Sequence, residues 1–374
     1  MQANRLLLAP ALLVGFFGHA GGALAQDAAS VADAFAAAMS RGGEVQVSVG
    51  SSSGGGGSVT LSDVTFAPQD GETRTQFTEV ALTGLAEAGE AFTAEEIVLS
   101  DGTMSGETSG EIGEVVIAEA SFPRQGTAEG DELRVSYRRI SGSDISLTPQ
   151  ERSEPMIIPI FAMDVDNIVD GVPQHSKGSA EGVVIPLSYF PAGEEITPAA
   201  LGYDEMVFNV AWEGSRDPQT QDLSLSEVSL TLRDGGTLAV KGQLNVGGSD
   251  EAAGDPFGGI GAMSVSSFTL TYEDASLAGR VLEHYAKAQN MSREEYANQL
   301  SAALPFMLSF LQNPEFQSEA AAAIGAFLTD PKSLTISVEP SDPVSGAQIL
   351  QLIGTAPQTI PDILNASVKA NGAQ

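Results

Sequence analysis

Cysteine is absent from the sequence, so the fold contains no disulfide, and no residue is available to carry the lipid that anchors a lipoprotein after its signal. Histidine is nearly absent. Of three, His19 falls in the leader described below, which leaves His175 and His284. These two supply neither a catalytic triad nor an ordinary zinc site unless partners come together from far along the chain. Aromatics are sparse as well: one tryptophan, Trp212, and six tyrosines offer little stacking surface, which makes a thin case for a sugar site built on paired carboxylates. Basic residues number 17 against 49 acids, a formal net charge of −32. Such a field repels nucleic-acid phosphates and anionic membrane surfaces, and it admits cationic peptides or divalent ions. It also suits solubility in a salty medium and says nothing about fold.

What is present begins with a leader. Arg5 is followed by an apolar run, Leu6 to Phe17, and by the small-x-small string Ala23-Leu24-Ala25. This is the pattern of a secretory signal peptide cleaved after Ala25, which places the mature chain, from Gln26, in the periplasm. The run is about a dozen residues where a spanning helix needs ~20. No other segment approaches that length, so the mature chain is expected to carry no transmembrane anchor. Loss of Arg5 leaves a mature charge one unit more negative than −32. The remaining chain is long enough to bury a core without bridges.

Along the chain, Val31, Phe35 and Met39 sit four apart and predict a helix over Ala28 to Met39. The Ser51–Ser58 stretch, rich in serine and glycine, reads as a flexible turn or a long hairpin tip. A loose repeat follows, in which an acid precedes an apolar-rich triplet: Asp63 to Phe66, Glu79 to Leu82, Glu96 to Leu99, Glu114 to Ile117, and later Asp144 to Leu147. Its spacing suits a strand plus a turn, repeated as a meander. Ser153 to Pro173 is apolar, punctuated by proline, and fits no clear element. Leu223 to Leu232 and Leu238 to Val246 form a hairpin about Arg233-Asp234-Gly235-Gly236, with a bulge near Ser226-Glu227 where the apolar phase shifts. Phe268, Leu270 and Tyr272 continue the sheet after a glycine-rich loop, Gly247 to Gly261.

Helices then take over. Leu277, Val281, Tyr285 and Ala288 make one stripe. Ser292 with Glu295 is a capping box that opens a second helix through Leu300, Leu304, Met307 and Leu311, kinked at Pro305. Pro314 opens a third, Asp342-Pro343 a fourth, and Asn365 to Ala370 is a last strand. Read one way, the apolar residues of these helices are core against the sheet. Read the other way, Leu300, Leu304, Met307 and Leu311 line an apolar groove, with the helices as lid and the sheet as floor.

Motifs with chemistry fail on inspection. Gly50-Ser51-Ser52-Ser53-Gly54 matches a nucleophile-elbow string but runs into further glycines where a helix must follow. Gly258-Gly259-Ile260-Gly261 lacks the spacing of a dinucleotide site. Asp164 and Asp166 mimic the start of a calcium loop, but Ile168 and Val169 stand where an oxygen ligand and a glycine are required, and the segment reads as a solvated acidic turn. His175 is placed in a polar loop and His284 on a helix surface. No catalytic, cofactor-binding or metal-binding residue is assigned, and no cofactor is expected.

The leader, the acid-apolar-x-apolar strands of Val59 to Leu147 and Leu223 to Tyr272, the lack of cysteine and the amphipathic helical segment together resemble bacterial envelope proteins of the AsmA-like and YdgA-like kind. The resemblance implies an elongated sheet with a lipid-accessible face and a role in envelope assembly; it carries over no functional residue. The expected fold is α+β: a mostly antiparallel, elongated meander with a C-terminal helical insertion packed on it. A single composite domain, 26–374, would comprise a meander part (26–150), a part with the hairpin (151–275) and a helical part returning to strand (276–374). The expected function is a non-catalytic envelope protein whose apolar groove holds lipid or an amphipathic segment of an envelope protein. The alternative is a structural or protein-interaction module of the periplasm with no small ligand.

Overall fold

The computed structural model describes residues 27–40, 45–69, 71, 73–124, 135–169, 172–191, 196–247 and 263–372. The leader and most of the glycine-rich loop lie outside them. The chain divides after Pro186 into two compact units.

The first unit is an antiparallel ladder of β1 (Val45–Ser48), β2 (Ser51–Gly55), β3 (Ser58–Pro68), β4 (Thr73–Thr83), β5 (Ala86–Ala88), β6 (Ala91–Gly106), β7 (Thr108–Pro123), β8 (Arg139–Pro149), β9 (Met156–Val169) and β10 (Val172–Ile185). From β6 to β10 each strand pairs with the next; β3 pairs with β1, β2 and β4, and β4 with β6. The Ser51–Ser58 stretch is a hairpin tip, with Gly55 opposite Ser58. Helix α1 (Ala28–Met39) starts at Asp27, whose side chain accepts the Ala29 amide, and buries Val31 and Phe35 against the sheet. Phe35 meets Phe122 edge-on, with ring centroids 6.0 Å apart.

The strands of this unit do not alternate simply. Buried residues run Val59, Leu61, then Val64 on β3; Phe77, then Val80 and Leu82 on β4; Phe92 and Ala94, then Ile97 and Leu99 on β6. The step of three reverses the pleat, and an acid marks many of the reversals. Asp63, Asp101 and Asp144 have φ of 53°, 52° and 54°, and Glu119 has 50°. Asp63 faces Thr78 between the pairs Ser62↔Glu79 and Val64↔Phe77, and Thr78 Oγ1 donates to the Asp101 carbonyl at 3.3 Å. Aspartate tolerates the left-handed region because its short side chain bonds locally. Gly113 stands beside Asp144 in the neighbouring strand, where an added Cβ would lie 2.8 Å from the Asp144 Cβ. The reversals thus line up from strand to strand.

The second unit holds β11 (Met206–Arg216), β12 (Asp222–Leu232), β13 (Gly236–Asn245), β14 (Ser264–Asp274), β15 (Ser333–Val338), β16 (Val344–Ser345) and β17 (Ala366–Ala370). These pair in the order β11, β12, β13, β14, β15, β17, with β16 beside the start of β14. The β12–β13 register shifts between Leu225 and Val228, where the apolar phase changes. Helices α2 (Leu277–Ala288), α3 (Arg293–Met307) and α4 (Pro314–Thr329) lie between β14 and β15; α5 (Gly346–Thr355) and the short α6 (Ile360–Ile363) follow. The Ser292–Glu295 capping box is present, but α3 ends at Met307, two residues past Pro305, and Leu308–Leu311 is a 3-10 turn. The fourth helix is capped by Ser345, whose side chain accepts the Gln348 amide, rather than at Asp342.

The α+β expectation is corrected. Among the described residues strand accounts for 52% and helix for 26%, and the longest helix has 16 residues, so this is a mostly-β fold and not a sheet with a balancing helical insertion. Two causes account for the difference. Pleat reversals hid the full length of strands such as β6 and β7, and the unassigned stretch from Ser153 to Pro173 contains β9 and the start of β10. Meanwhile the apolar helices weigh more in hydropathy than in residues.

Candidate functional site: an open apolar sheet face

The strands of the second unit sort their side chains by polarity. One face carries Val210, Leu230, Leu238 and Tyr272 as one cross-strand row, and Trp212, Val228, Val240, Leu270 and Ile336 as the next. Opposed residues of antiparallel strands share a face, so the rows form a continuous apolar surface. The other face is polar: Thr231 and Thr237 hydroxyls lie 2.9 Å apart, and those of Thr271 and Thr335 3.3 Å apart. The Ser226–Glu227 bulge preserves this division, since it keeps Leu223 and Leu225 on the side of Val228, Leu230 and Leu232.

Helices cover this face only at one end. Phe327 of α4 meets Tyr272 edge-on at 6.0 Å, and Val368 on β17 is buried. The Val368 amide donates to Glu319 of α4 at 3.1 Å, and Asn371 donates to the Ala326 and Asp330 carbonyls, so α4 also guards the β17 edge. Burial pushes the Tyr272 phenol well above its ordinary pKa, and its hydrogen bond to Asp274 at 2.7 Å adds to the shift. Away from that end the cover stops. Leu230 and Leu238, directly paired, are 43% and 40% exposed, and Trp212, Val228, Val240 and Leu270 are only half-buried. Interior strands of a folded unit ordinarily hide an apolar face, so the open rows are the candidate binding surface.

The four expected groove residues do not line this surface together. Leu304 is buried in the seam between α3 and α4, 3.9 Å from the position of a Cβ added at Gly325. Leu300 and Leu311 are half-buried, and Met307 is exposed. The sheet, expected only as the floor of that groove, carries the open surface: Leu238, Val240, Gly242 and Leu244 alternate with Ala239, Lys241 and Gln243, and the sequence assigned no residue of this face to the site.

Polar clusters offer less. Arg280 of α2 donates to the Leu201 and Gly202 carbonyls at 2.9 and 3.2 Å and stacks over Tyr203 at 4.6 Å. With Glu283, His284 and Lys287 it lines an open cleft of about 480 Å³. Glu283 and Lys287 pair at 2.7 Å, and the arginine is committed to the two carbonyls. Asp164 and Asp166 lie on β9 rather than in a turn; Asp164 pairs with Arg139 at 2.8 Å and Asp166 with Arg138. His175 lies on β10 opposite Asp166, not in a loop. The end of that acidic segment, Asp170 and Gly171, lies outside the described residues. Among the described residues no cluster of His, Asp and Glu could hold a metal ion, and no helix is long and apolar enough to cross a membrane.

A family model described only as "Uncharacterized protein" matches residues 202–371. The match begins just before β11 and ends just after β17, so it spans the sheet that carries the open face. A search of curated proteins finds no match.

Proposed function

We propose that the chain is an exported, non-catalytic envelope protein that holds an acyl chain on the apolar face of β11–β15. The carrying observation is the pair of registered rows, from Val210 to Tyr272 and from Trp212 to Ile336, apolar throughout and open over β12 and β13. A run of Leu, Val and Ile, whose only polar atoms are the Trp212 indole N–H and the Tyr272 phenol held by Asp274, suits a flexible hydrocarbon, which needs burial more than hydrogen bonds. The Arg5 to Ala25 leader and the resemblance to AsmA-like proteins support an envelope location for that task. The net charge of −32 favours a zwitterionic or neutral amphiphile over an anionic one.

Native mass spectrometry of the protein purified from the periplasm tests the reading. Lipid-sized adducts are expected on the wild type and absent from the Leu230→Asp/Leu238→Asp variant. A wild-type protein free of adducts, whose melting temperature also fails to respond to added lysophosphatidylcholine, would remove the acyl-chain reading in favour of a protein-interaction module.

A further inference from the structure

The C-terminal end of α3 and the turn after it expose large apolar side chains to water. Phe306 is 83% and Phe310 66% exposed, and Met307 between them is exposed too. Two further exposed residues, Leu350 and Ile353, lie on α5. The two segments are tied together: the buried Asn313 side chain donates to the Gln358 carbonyl and to Asp362 Oδ1, both at 3.1 Å, while its Oδ1 accepts the Phe316 amide. A second observation concerns charge. In a protein with 49 acids, residues 296–314 and 343–361 contain no Asp, Glu, Lys, Arg or His. Within these two stretches the apolar end therefore carries no charged side chain, and Asp362 and Glu315 stand at their borders.

We infer that this end inserts shallowly into the interface of a membrane rich in zwitterionic lipid. Aromatic and Met side chains projecting from a helix end suit the boundary between headgroup and acyl chain, which rewards apolar area without asking for matching polar partners. An acidic molecule is repelled from an anionic surface, and clearing charge from one end is what lets it approach a neutral one. Since no helix among the described residues could span a bilayer, the contact is peripheral. The inference is independent of an acyl chain on the sheet.

Flotation with phosphatidylcholine vesicles tests it. The mature wild type is expected to float with the vesicles at any salt concentration, and to float less with phosphatidylglycerol vesicles at low salt. Phe306→Ser/Phe310→Ser should reduce the bound fraction about tenfold or more, with an unchanged circular-dichroism melt because both residues are already in water. Failure of the wild type to float, or equal flotation of the variant, would overturn the inference. So would a concentration-dependent dimer of the wild type, seen in sedimentation, that the variant abolishes, since the end would then bind a second copy. Failure of the acyl-chain reading would leave flotation untouched.

Discussion

Single residues show how this sequence departs from a plain meander. Asp63, Asp101 and Asp144 each adopt a left-handed backbone at a pleat reversal, a conformation that Asp and Asn visit more readily than other residues with a Cβ. Tyr137 is the residue with the clearest pH consequence. Burial in the core of the first unit pushes its phenol up to about 12 from the ordinary 10.0. Below pH 10 the phenol is protonated in both folded and unfolded chains and stability does not depend on it. Above pH 10 the unfolded chain releases the proton and the folded one does not, so stability falls as pH rises towards 12. The urea midpoint is expected to hold to about pH 10 and then decline, with a shallower decline in Tyr137→Phe. A wild-type midpoint level through pH 11.5 would contradict the assignment. Tyr272 shifts in the same direction and adds to the same slope.

At the scale of elements, what was legible followed a period and what was missed broke one. The four-residue spacing of Val31, Phe35 and Met39 marked α1, the Ser292–Glu295 box marked the start of α3, and the phase change at Leu225–Val228 marked a bulge. Long strands with reversed pleats were harder, because Ile97 and Leu99 stand in the wrong phase for Phe92 and Ala94 unless Glu95 is recognised as a break. β9 was obscured further by Pro159, which sits in the reversal row opposite Asp144, between the pairs Ser143↔Ile160 and Ile145↔Ile158. The helices were found but misweighed: a stripe such as Leu300, Leu304, Met307 and Leu311 cannot by itself say which member faces a neighbour. The structure sets Leu304 between α3 and α4, so Leu304→Ala is expected to cost ~2–5 kcal/mol through lost transfer energy and a residual cavity. Denaturant unfolding measures it; a loss below about 1 kcal/mol would mean that the site is already open.

For the molecule as a whole, acidity and apolarity are kept apart. Acids mark the pleat reversals and turns of the first unit, whereas the second unit assembles one polar and one apolar sheet face and a helical end with two long uncharged stretches. The apolar rows connect sequence to function most directly. Alternation along β11–β15 puts Leu, Val, Trp and Ile on one side, short helices cover it at Tyr272 and Val368, and hydrocarbon is the occupant we propose for the rest. Trp212, the only tryptophan in the chain, stands in the second of these rows and reports on the face directly. The most direct test is to titrate delipidated protein with a zwitterionic lysophosphatidylcholine brominated at mid-chain and follow Trp212 emission. Saturable quenching, weakened in Leu230→Asp, is the expected result. Quenching no greater than that produced by a short-chain brominated lysophosphatidylcholine at the same concentration would contradict an acyl chain on this face.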